Sequence, residues 1–473
     1  RYPMQAETLS NKINTPSVAD IAPKIQLIKN TFASGKTKPL PWRIEQLTQI
    51  RKMVVEQQDK IFVAMQQDLG RCNMESWTAE LGGVISEVDH SLKHLKKWVK
   101  PRKVPTPIIA QPGKSYMLPE PLGTILIIGA WNYPLLLVLS PLISAISAGN
   151  NAIIKPSELS ANVSKLLVEL VAQYLDNDAF AVVEGAVDET TELLKHQFDH
   201  IIYTGGEVVG KIVMRAAAEF LTPVTLELGG KSPCIVDSST DLDVTAARIV
   251  WSKWMNAGQT CVAPDYVLVE ESFAAPLIDA IKHKLTEFYS ADASSSKDYG
   301  RIVSERHLTR IVSYLDGQEV VHGGKHDVAN KYIEPTIVLN PAHDSLLMQQ
   351  EIFGPILPIV TVKNISESIP FVNKRAKPLA LYIFSKNKDF GQQVLTATSA
   401  GMVCINDGFM FAANPNLPFG GVGSSGTGAY HGKIGFDNFS HLKTVMERSF
   451  WFDVPLRYPP FTDKKFKLLK KLI

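Results

Sequence analysis

The stretch FDHIIYTGGEVVGKIVMRAAAEF, residues 198–220, combines a short apolar run, a pair of glycines and a helical pattern. The apolar run ends at Thr204, and the helical pattern begins after Gly205-Gly206. Backbone amides at the start of such a helix attract phosphate groups. The stretch therefore predicts a strand, a turn and a helix that form one βα unit, with a candidate anion site at the turn.

Two nucleotide motifs come close to this turn, but neither fits. An ATP-hydrolysing phosphate loop needs Ser or Thr after Lys211 to hold Mg²⁺, and Ile212 stands there. The dinucleotide pattern G-x-G-x-x-G requires a different glycine spacing. The residues alone therefore disfavour an ATPase. They leave open another phosphate ligand or a glycine turn with no ligand at all.

Apolar runs and helical patterns alternate on both sides of this stretch. Five runs between Thr124 and Leu228 predict a doubly wound parallel sheet, and residues 18–100 show the spacing of a helical lead-in. A second series of runs, from SPCIVD (232–237) to MVCIND (402–407), predicts another α/β unit. Ligands of such sheets bind at the carboxyl ends of the strands, which makes those ends the expected site.

One uncharged segment, residues 121–154, is long enough to suggest a membrane span. Gly129, Pro134, Pro141 and Gly149 interrupt it, and a bilayer would leave such a broken backbone without hydrogen bonds. We therefore interpret it as a strand, a helix and a second strand.

Composition narrows the classes of function further. The 473 residues carry 49 Lys and Arg against 47 Asp and Glu, a net charge of +2, so no nucleic-acid partner is expected. The four cysteines are far apart in the sequence and form no C-x-x-C pair, which favours a reducing cytoplasm. The amino terminus shows no signal-peptide pattern.

Cys261 and Glu227 are the candidate reactive residues. Cys261 lies in the small, polar segment MNAGQTC, where a reactive thiol is as plausible as a structural one. Glu227 ends an apolar strand before Gly229-Gly230; burial there would raise its pKa and suit it as a base, although an exposed Glu is the alternative. The histidine pairs His90/His94, His196/His200 and His322/His326 have i,i+4 spacing but no H-E-x-x-H frame. We interpret them as ordinary surface or helix-face residues and expect no metal.

Four segments together resemble the signature segments of the aldehyde dehydrogenase superfamily, in family order and spacing: TLELGGKSP (225–233), NAGQTCVAPDYVLV (256–269), EIFGPILPI (351–359) and LPFGGVGSSGTGAYHGKIGF (417–436). GAWNYPL (129–135), KPSE (155–158) and TGGEVVGKIVM (204–214) more narrowly resemble class 3 and fatty aldehyde dehydrogenases, with their coniferyl-type bacterial relatives. The resemblance extends to about residue 449.

This resemblance implies an α/β aldehyde dehydrogenase fold with a doubly wound NAD-binding domain, a second α/β catalytic domain and a small β oligomerisation element. The implied parts are a NAD-binding domain with its helical lead-in (1–104 and 122–228), a catalytic domain (229–406), oligomerisation strands (105–121 and 436–449), an active-site loop region (407–435) and a C-terminal tail (450–473). A homodimer is the expected assembly.

The resemblance also implies the chemistry. Cys261 would be the nucleophile, Glu227 the general base and Asn132 the amide that stabilises the oxyanion, in the oxidation of aldehydes to carboxylic acids through a thiohemiacetal and a thioester. The implied cofactor is NAD, with NADP left open. Seven residues would hold it: Lys155, Glu158, Gly206, Val209, Trp131, Glu351 and Phe353.

The sequence constrains the substrate and the location of the protein less than it constrains the chemistry. An apolar tunnel would favour medium- to long-chain aliphatic, terpenoid, apocarotenoid or aromatic aldehydes, although core packing explains the same residues: Tyr133, Trp254, Met255, Phe409, Met410 and Phe411. The basic amphipathic end KKFKLLKKLI (464–473) would allow peripheral contact with an anionic membrane. The alternatives are a CoA-acylating aldehyde dehydrogenase and a non-catalytic binding protein that retains the fold.

Overall fold

Helices make up most of the described chain from residue 18 to residue 98, as the apolar spacing predicts. This computed structural model describes residues 18–472, so residues 1–17 of the expected NAD-binding domain and Ile473 of the expected tail lie outside it. The first helix buries Ile21, Ile25 and Ile28, which share one face. In chain order the first elements are α1 (Ile21–Ala33), α2 (Leu40–Glu56), α3 (Gln58–Leu69), α4 (Asn73–Ser76), α5 (Gly82–Trp98), β1 (Arg102–Val104) and β2 (Gly113–Pro121).

A parallel sheet with alternating helices follows, which confirms the doubly wound α/β prediction. Its elements are β3 (Thr124–Ile128), α6 (Leu136–Ala148), β4 (Asn151–Lys155), α7 (Ala161–Tyr174), β5 (Phe180–Val182), α8 (Val187–Leu194), β6 (His200–Thr204), α9 (Glu207–Ala218) and β7 (Val224–Glu227). The strands lie in the order β7-β6-β3-β4-β5. The carboxyl ends of β3, β4 and β6 therefore meet at one edge of the sheet.

The second α/β series forms a larger sheet in the order β10-β13-β14-β9-β8-β15-β16, in which all pairs except β10–β13 are parallel. Its elements are β8 (Pro233–Val236), α10 (Leu242–Trp254), β9 (Tyr266–Glu270), α11 (Glu271–Tyr289), α12 (Glu305–Ser313), β10 (Val320–His322), β11 (His326–Asp327), β12 (Tyr332–Ile333), β13 (Thr336–Leu339), α13 (Leu346–Gln349), β14 (Ile356–Val362), α14 (Ser368–Asn373), β15 (Ala380–Phe384), α15 (Lys388–Ala397) and β16 (Met402–Ile405). Strands β11 and β12 form a separate hairpin.

The last elements return the chain to the first half of the molecule. They are β17 (Gly426–Thr427), α16 (Gly432–Asn438), β18 (Ser440–Arg448) and α17 (Asp463–Leu472). Strand β17 pairs with β7, opposite Glu227, so the segment 407–435 crosses the edge of the first sheet. Strand β18 pairs with β2 over nine residues and completes a three-stranded sheet with β1.

The small sheet differs from the expected oligomerisation strands in one respect. Residues Ile108–Ala110 form a short 3₁₀ turn, and β2 pairs on one side with β1, which lies inside the segment 1–104 that we assigned to the NAD-binding domain. The strand ends before Pro105, because prolines cannot donate to a strand ladder. The domain boundaries stay predictions.

The uncharged segment 121–154 contains strand β3, helix α6 and strand β4, which confirms its predicted division. Helix α6 has 13 residues, and nearly all of them are buried. Across residues 18–472 no helix combines the length and apolar character that a bilayer crossing requires.

A buried ion pair ties the helical lead-in to helix α6. The side chains of Arg71 and Glu80 are both inaccessible to solvent and contact each other. The Glu80 carboxylate also accepts hydrogen bonds from the amides of Leu135 (2.8 Å) and Leu136 (2.9 Å) at the start of α6. The Arg71 guanidinium lies 5.1 Å from the centre of the Tyr133 ring. The pair thus fixes the chain just after β3.

We expect Arg71→Met to lower the free energy of unfolding by about 3–5 kcal/mol, because it leaves the Glu80 carboxylate buried without its cation. Urea unfolding followed by circular dichroism measures this loss. Lys52→Met is the control, since Lys52 is half exposed and lies 3.9 Å from Glu56; its unfolding midpoint should match the parent. Equal midpoints for both variants would contradict a structural role for the buried pair.

Candidate active site

Cys261 follows a backbone turn in the left-handed conformation. Asn256, Ala257 and Gly258 have φ angles of 53°, 52° and 75°. Two of the three are not glycine, and such residues resist this conformation unless the surroundings impose it. The side chain of Asn256 donates to the carbonyl oxygens of Asn132 (3.0 Å) and Gln259 (3.1 Å). The backbone N–H of Asn256 donates to the Glu75 carboxylate at 2.8 Å.

The buried Gln259 side chain supports the same turn. Its Nε2 donates to the carbonyl oxygens of Asn256 and Arg301, both at 2.9 Å, and its Oε1 accepts from the Val303 amide at 2.9 Å. A side-chain amide bonded on both sides holds its loop in one position. Asn256 and Gln259 were not singled out from the sequence, although both lie inside the segment NAGQTC.

Asn132 lies beside this turn. It follows strand β3, is buried, and donates one N–H of its amide to the carbonyl oxygen of Gln259 at 3.1 Å. An Asn amide carries two N–H donors, so the second remains for a ligand. The predicted oxyanion amide of Asn132 thus contacts Gln259, which precedes Cys261 by two positions in the chain.

Glu227 ends strand β7 with only 1% of its surface exposed. Within the part of the chain that the structure describes, neither carboxylate oxygen has a hydrogen-bond partner. Burial raises the pKa of Glu227 well above its usual range. A carboxylate with a raised pKa is a stronger base than an exposed one, which suits it to take a proton from water. The alternative of an exposed strand-end Glu is therefore excluded.

The Cys261 thiol is half buried, and three effects raise its pKa to about 12: burial first, then the charges of Glu351 and Glu227. The backbone amides of Cys261 and Val262 act in the opposite direction. The thiol is therefore protonated at neutral pH. A cation next to the sulfur would lower its pKa and release the thiolate.

The turn that follows β6 fits a phosphate group. Gly206 caps helix α9, whose first amides receive no side-chain hydrogen bond from the cap residue. A Cβ atom built on Gly206 would meet no atom within 4 Å, so the space in front of the helix is open. Val209 in the first turn is 40% exposed. Open amides at a helix start are the groups that bind a pyrophosphate.

Lys155 and Glu158 follow strand β4 at the same edge. Lys155 is buried, donates to the Pro156 carbonyl oxygen at 2.7 Å and lies 3.9 Å from the Glu158 carboxylate. The Glu158 side chain is 49% exposed. The structure therefore places a cation and an anion of the predicted cofactor set side by side, with the anion facing solvent.

The segment 350–353 carries the other predicted cofactor residues. Phe353 has a left-handed φ of 51°, and its ring meets Trp131 edge-on with centroids 5.2 Å apart. Three side chains hold the backbone here: Lys231 donates to the Gln350 carbonyl oxygen (3.1 Å), Arg310 donates to that of Ile352 (3.0 Å), and Asp265 accepts from the Ile352 amide (3.2 Å). Sequence reasoning missed all three, although Lys231 and Asp265 lie inside recognised segments.

The aromatic and methionine residues of the predicted tunnel differ in burial and position. Tyr133 reaches the active-site turn, because its hydroxyl lies 2.6 Å from that of Thr260. Phe409, Phe411 and Met255 are largely buried, and Met410 is 48% exposed. Trp254 is completely buried and donates its indole N–H to the Pro355 carbonyl oxygen at 3.0 Å. Trp254 therefore packs in the core, the alternative that the sequence left open.

The histidine pairs need one correction. His200 is neither a surface nor a helix-face residue: it begins strand β6, is buried and hydrogen-bonds the Thr225 hydroxyl at 2.8 Å. The i,i+4 spacing did not indicate a helix face here, because His196 lies in the bend after α8 and His200 begins β6. Over residues 18–472, no group of three His, Cys, Asp or Glu side chains is arranged to hold a metal ion.

The chain matches the family model described as "Aldehyde dehydrogenase family" over residues 2–445. It belongs to the aldehyde dehydrogenase family. The protein is therefore an oxidoreductase that acts on aldehydes, and its family uses NAD(P) as cofactor. This confirms the resemblance that the four signature segments carried.

Three similar proteins match this aldehyde dehydrogenase along most of its length. "Aldehyde dehydrogenase family 3 member A2" of Rattus norvegicus is 49% identical over 455 residues, covering 95% of this chain and 94% of the relative. "Aldehyde dehydrogenase, dimeric NADP-preferring" of Canis lupus familiaris is 46% identical over 449 residues, covering 94% and 99%. The solved substrate-bound AldH of Staphylococcus aureus superposes with a TM-score of 0.93 at 45% identity, covering 95% and 99%.

We expect Gly258→Ala to abolish aldehyde oxidation and to lower the thermal unfolding midpoint. At this position a Cβ atom would lie 2.3 Å from the Gly354 carbonyl oxygen, in addition to the strain of a φ of +75°. Gly317→Ala is the matched control, because its φ is +71° but no atom lies within 4 Å, which leaves only roughly 1–2 kcal/mol of backbone strain. Calorimetry and NADH absorbance measure both effects. A Gly258→Ala enzyme as stable and active as the control would refute the constraint.

Proposed function

We propose that this aldehyde dehydrogenase oxidises apolar aldehydes to carboxylic acids with Cys261 as nucleophile, Glu227 as general base and Asn132 as the oxyanion amide. The observation that supports this assignment is the convergence of the three groups. The Glu227 carboxyl acts on the pKa of the Cys261 thiol, and the Asn132 amide is bonded to the turn that carries the thiol.

Each residue has a defined task in this proposal. The Cys261 thiol would release its proton to solvent once a positive charge is bound beside it, and the thiolate would then form a bond to the carbonyl carbon as the C=O π electrons move onto oxygen. The Asn132 amide donates to the resulting oxyanion; losing such a donor typically costs about 3 kcal/mol. A bound nicotinamide ring supplies the acceptor for the hydride that the aldehyde carbon must lose. Glu227 then takes a proton from water as the water oxygen attacks the thioester carbon. The C–S bond breaks, and the acid leaves.

The residues for the cofactor fit NAD. We assign the pyrophosphate to the helix start at Gly206 and Val209, the adenine ribose to Lys155 and Glu158, and the nicotinamide ribose to Glu351 and Phe353, with Trp131 beside it. The half-exposed Glu158 carboxylate would repel a 2′-phosphate, while Lys155 next to it would attract one. NAD is the proposed preference, and NADP is left open.

The proposed substrates are medium- to long-chain aliphatic, terpenoid or apocarotenoid, and aromatic aldehydes. Tyr133, Met255, Phe409 and Phe411 support this choice, because they form an apolar set near the active-site turn or on the segment 407–435 that crosses the sheet edge. Trp254 is left out of this set because its side chain is completely enclosed. A pocket lined by apolar side chains favours aldehydes with long apolar chains over aldehydes with polar substituents.

Cys261→Ala should abolish NADH formation at 340 nm with every aldehyde of a panel of increasing chain length, because no thiohemiacetal can form. The wild type should show kcat/KM rising with chain length, and higher values with NAD than with NADP. Cys404→Ala is the control, since Cys404 is also a half-buried free thiol; its rates should stay at the wild-type level. Full activity of Cys261→Ala would reject the assignment.

The same assay discriminates the two rival functions. A CoA-acylating enzyme would release an acyl-CoA when CoA is present, whereas the proposed enzyme releases only the free acid, because Glu227 activates water. A binding protein that merely retains the fold would form no NADH with any aldehyde.

We propose a homodimer assembled through the small sheet. Strand β18 lies at the edge of that sheet, and much of its surface is exposed, with Met446 at 49%. An uncovered strand edge pairs readily with another chain. The four free cysteines fit a reducing cytoplasm, which is the proposed location.

We further propose peripheral contact with anionic membranes. After β18 the chain exposes several large aromatic side chains, of which Phe450 (107%), Trp451 (86%) and Phe461 (75%) are the most exposed. Helix α17, Asp463–Leu472, adds exposed apolar residues among lysines. Aromatic side chains with nearby lysines are the composition of segments that rest on a lipid surface.

We expect co-sedimentation with vesicles that contain phosphatidylserine, and its loss in a Phe450→Ser/Trp451→Ser variant and on removal of residues 464–473. Leu221→Ser is the control, because it removes a residue that is 91% exposed elsewhere on the surface. Vesicles of neutral phosphatidylcholine should bind more weakly, since the lysines need anionic headgroups. Equal binding of the double variant and its parent would argue against contact through this segment.

A further inference from the structure

Tyr382 carries a hydroxyl group that packing does not explain. It lies in the middle of strand β15, in which every residue is buried, and its side chain is completely enclosed. The neighbouring strands place Cys234 and Cys404 opposite it. A phenylalanine would fill this position without the cost of burying a polar group. The hydroxyl therefore requires another explanation.

The Tyr382 hydroxyl bonds to the turn that carries the Cys261 thiol. It donates to the carbonyl oxygen of Val262, the residue that follows Cys261. Burial raises the pKa of Tyr382 well above its usual range. The hydroxyl therefore keeps its proton at neutral and mildly alkaline pH and remains a hydrogen-bond donor.

The Val262 carbonyl belongs to the peptide unit that closes this turn. The N–H of the same unit, which is that of Ala263, donates to the Thr260 carbonyl oxygen at 3.0 Å. Because a peptide unit is planar, the two hydrogen bonds hold it from opposite sides. Cys261 and Val262 are the central residues of the turn, so its closure determines where their backbone N–H groups point.

Those two N–H groups act on the sulfur. Burial raises the pKa of the Cys261 thiol, and the backbone N–H groups of Cys261 and Val262 lower it. Hydrogen bonds to the charged form of a group favour that form, so these donors stabilise the thiolate. Rotation of the peptide unit after Val262 would open the turn and direct the donors away from the sulfur.

We propose that Tyr382 is a positioning residue for the Cys261 thiol: its hydroxyl holds the peptide unit after Val262 and keeps two backbone donors directed at the sulfur. Tyr382 acts through the backbone and touches neither substrate nor cofactor. This inference rests on the proposed function, in which Cys261 is the nucleophile. It extends that function by naming a residue that prepares the thiol for attack.

Tyr382→Phe tests the inference, because it removes the hydroxyl and keeps the ring, which stacks on Phe411 with centroids 6.2 Å apart. Alkylation of Cys261 by iodoacetamide is measured at mildly alkaline pH without aldehyde or cofactor, by mass spectrometry of the peptide that contains it. We expect the rate to fall about tenfold, the equivalent of one lost hydrogen bond. The kcat/KM for aldehyde should fall by a similar factor, while the dissociation constant of NAD⁺, measured by calorimetry, should not change.

Tyr299→Phe is the matched control. Tyr299 is also buried, and its hydroxyl donates to the carbonyl oxygen of Ile333, in strand β12, at 2.9 Å. Both variants remove the donor to a buried carbonyl, so both should lower the thermal unfolding midpoint. Only Tyr382→Phe should slow alkylation and aldehyde oxidation. If Tyr382→Phe fails to fold, Tyr382→Met takes its place, because Met also lacks a donor and adapts to irregular spaces.

The outcomes are distinguishable. Alkylation of Cys261 at the wild-type rate in Tyr382→Phe, an equal slowing in Tyr299→Phe, or slower alkylation with an unchanged kcat/KM overturns the role of Tyr382 and leaves the proposed function intact. Aldehyde oxidation by Cys261→Ala at the wild-type rate overturns the proposed function, whereas the alkylation rates do not depend on it.

Discussion

The left-handed turn at residues 256–258 is the constraint on which the active site depends. Such a turn is unstable by itself, so backbone and side-chain groups from distant parts of the chain must hold it. Glu75 comes from the helical lead-in, Asn132 from the loop after the first strand of the parallel sheet, and Arg301 and Val303 from the second α/β series. The Cys261 thiol therefore stands where these three parts of the molecule meet.

Burial determines the electrostatics of the site as much as any single contact does. It raises the pKa values of Glu227, Cys261 and Glu351, so the resting site carries little negative charge. A thiol and a carboxyl in this condition become reactive when the local charge changes. This arrangement suits an enzyme whose nucleophile should act only when a positively charged ring is bound beside it.

The cofactor side of the site is built by backbone contacts. The backbone of segment 350–352 is hydrogen-bonded by the side chains of Lys231, Asp265 and Arg310. Phe353, which follows with a left-handed φ, packs its ring against Trp131. On the opposite side, the helix start at Gly206 offers open amides. Charged side chains thus shape the loop. In the proposed cofactor assignment, main-chain donors at the helix start would face the ligand, as is usual for nucleotide sites.

The sequence by itself determined the fold class and the family. Apolar periodicity, glycine turns and the order of four motifs are properties of the chain, and the sheets and the family match confirmed them. Only the tertiary structure decided that Glu227 is buried, that His200 lies in a strand and that Trp254 packs in the core. The reason is sequence distance: Glu75 and Asn256 are 181 residues apart, and local periodicity carries no information about such a pair.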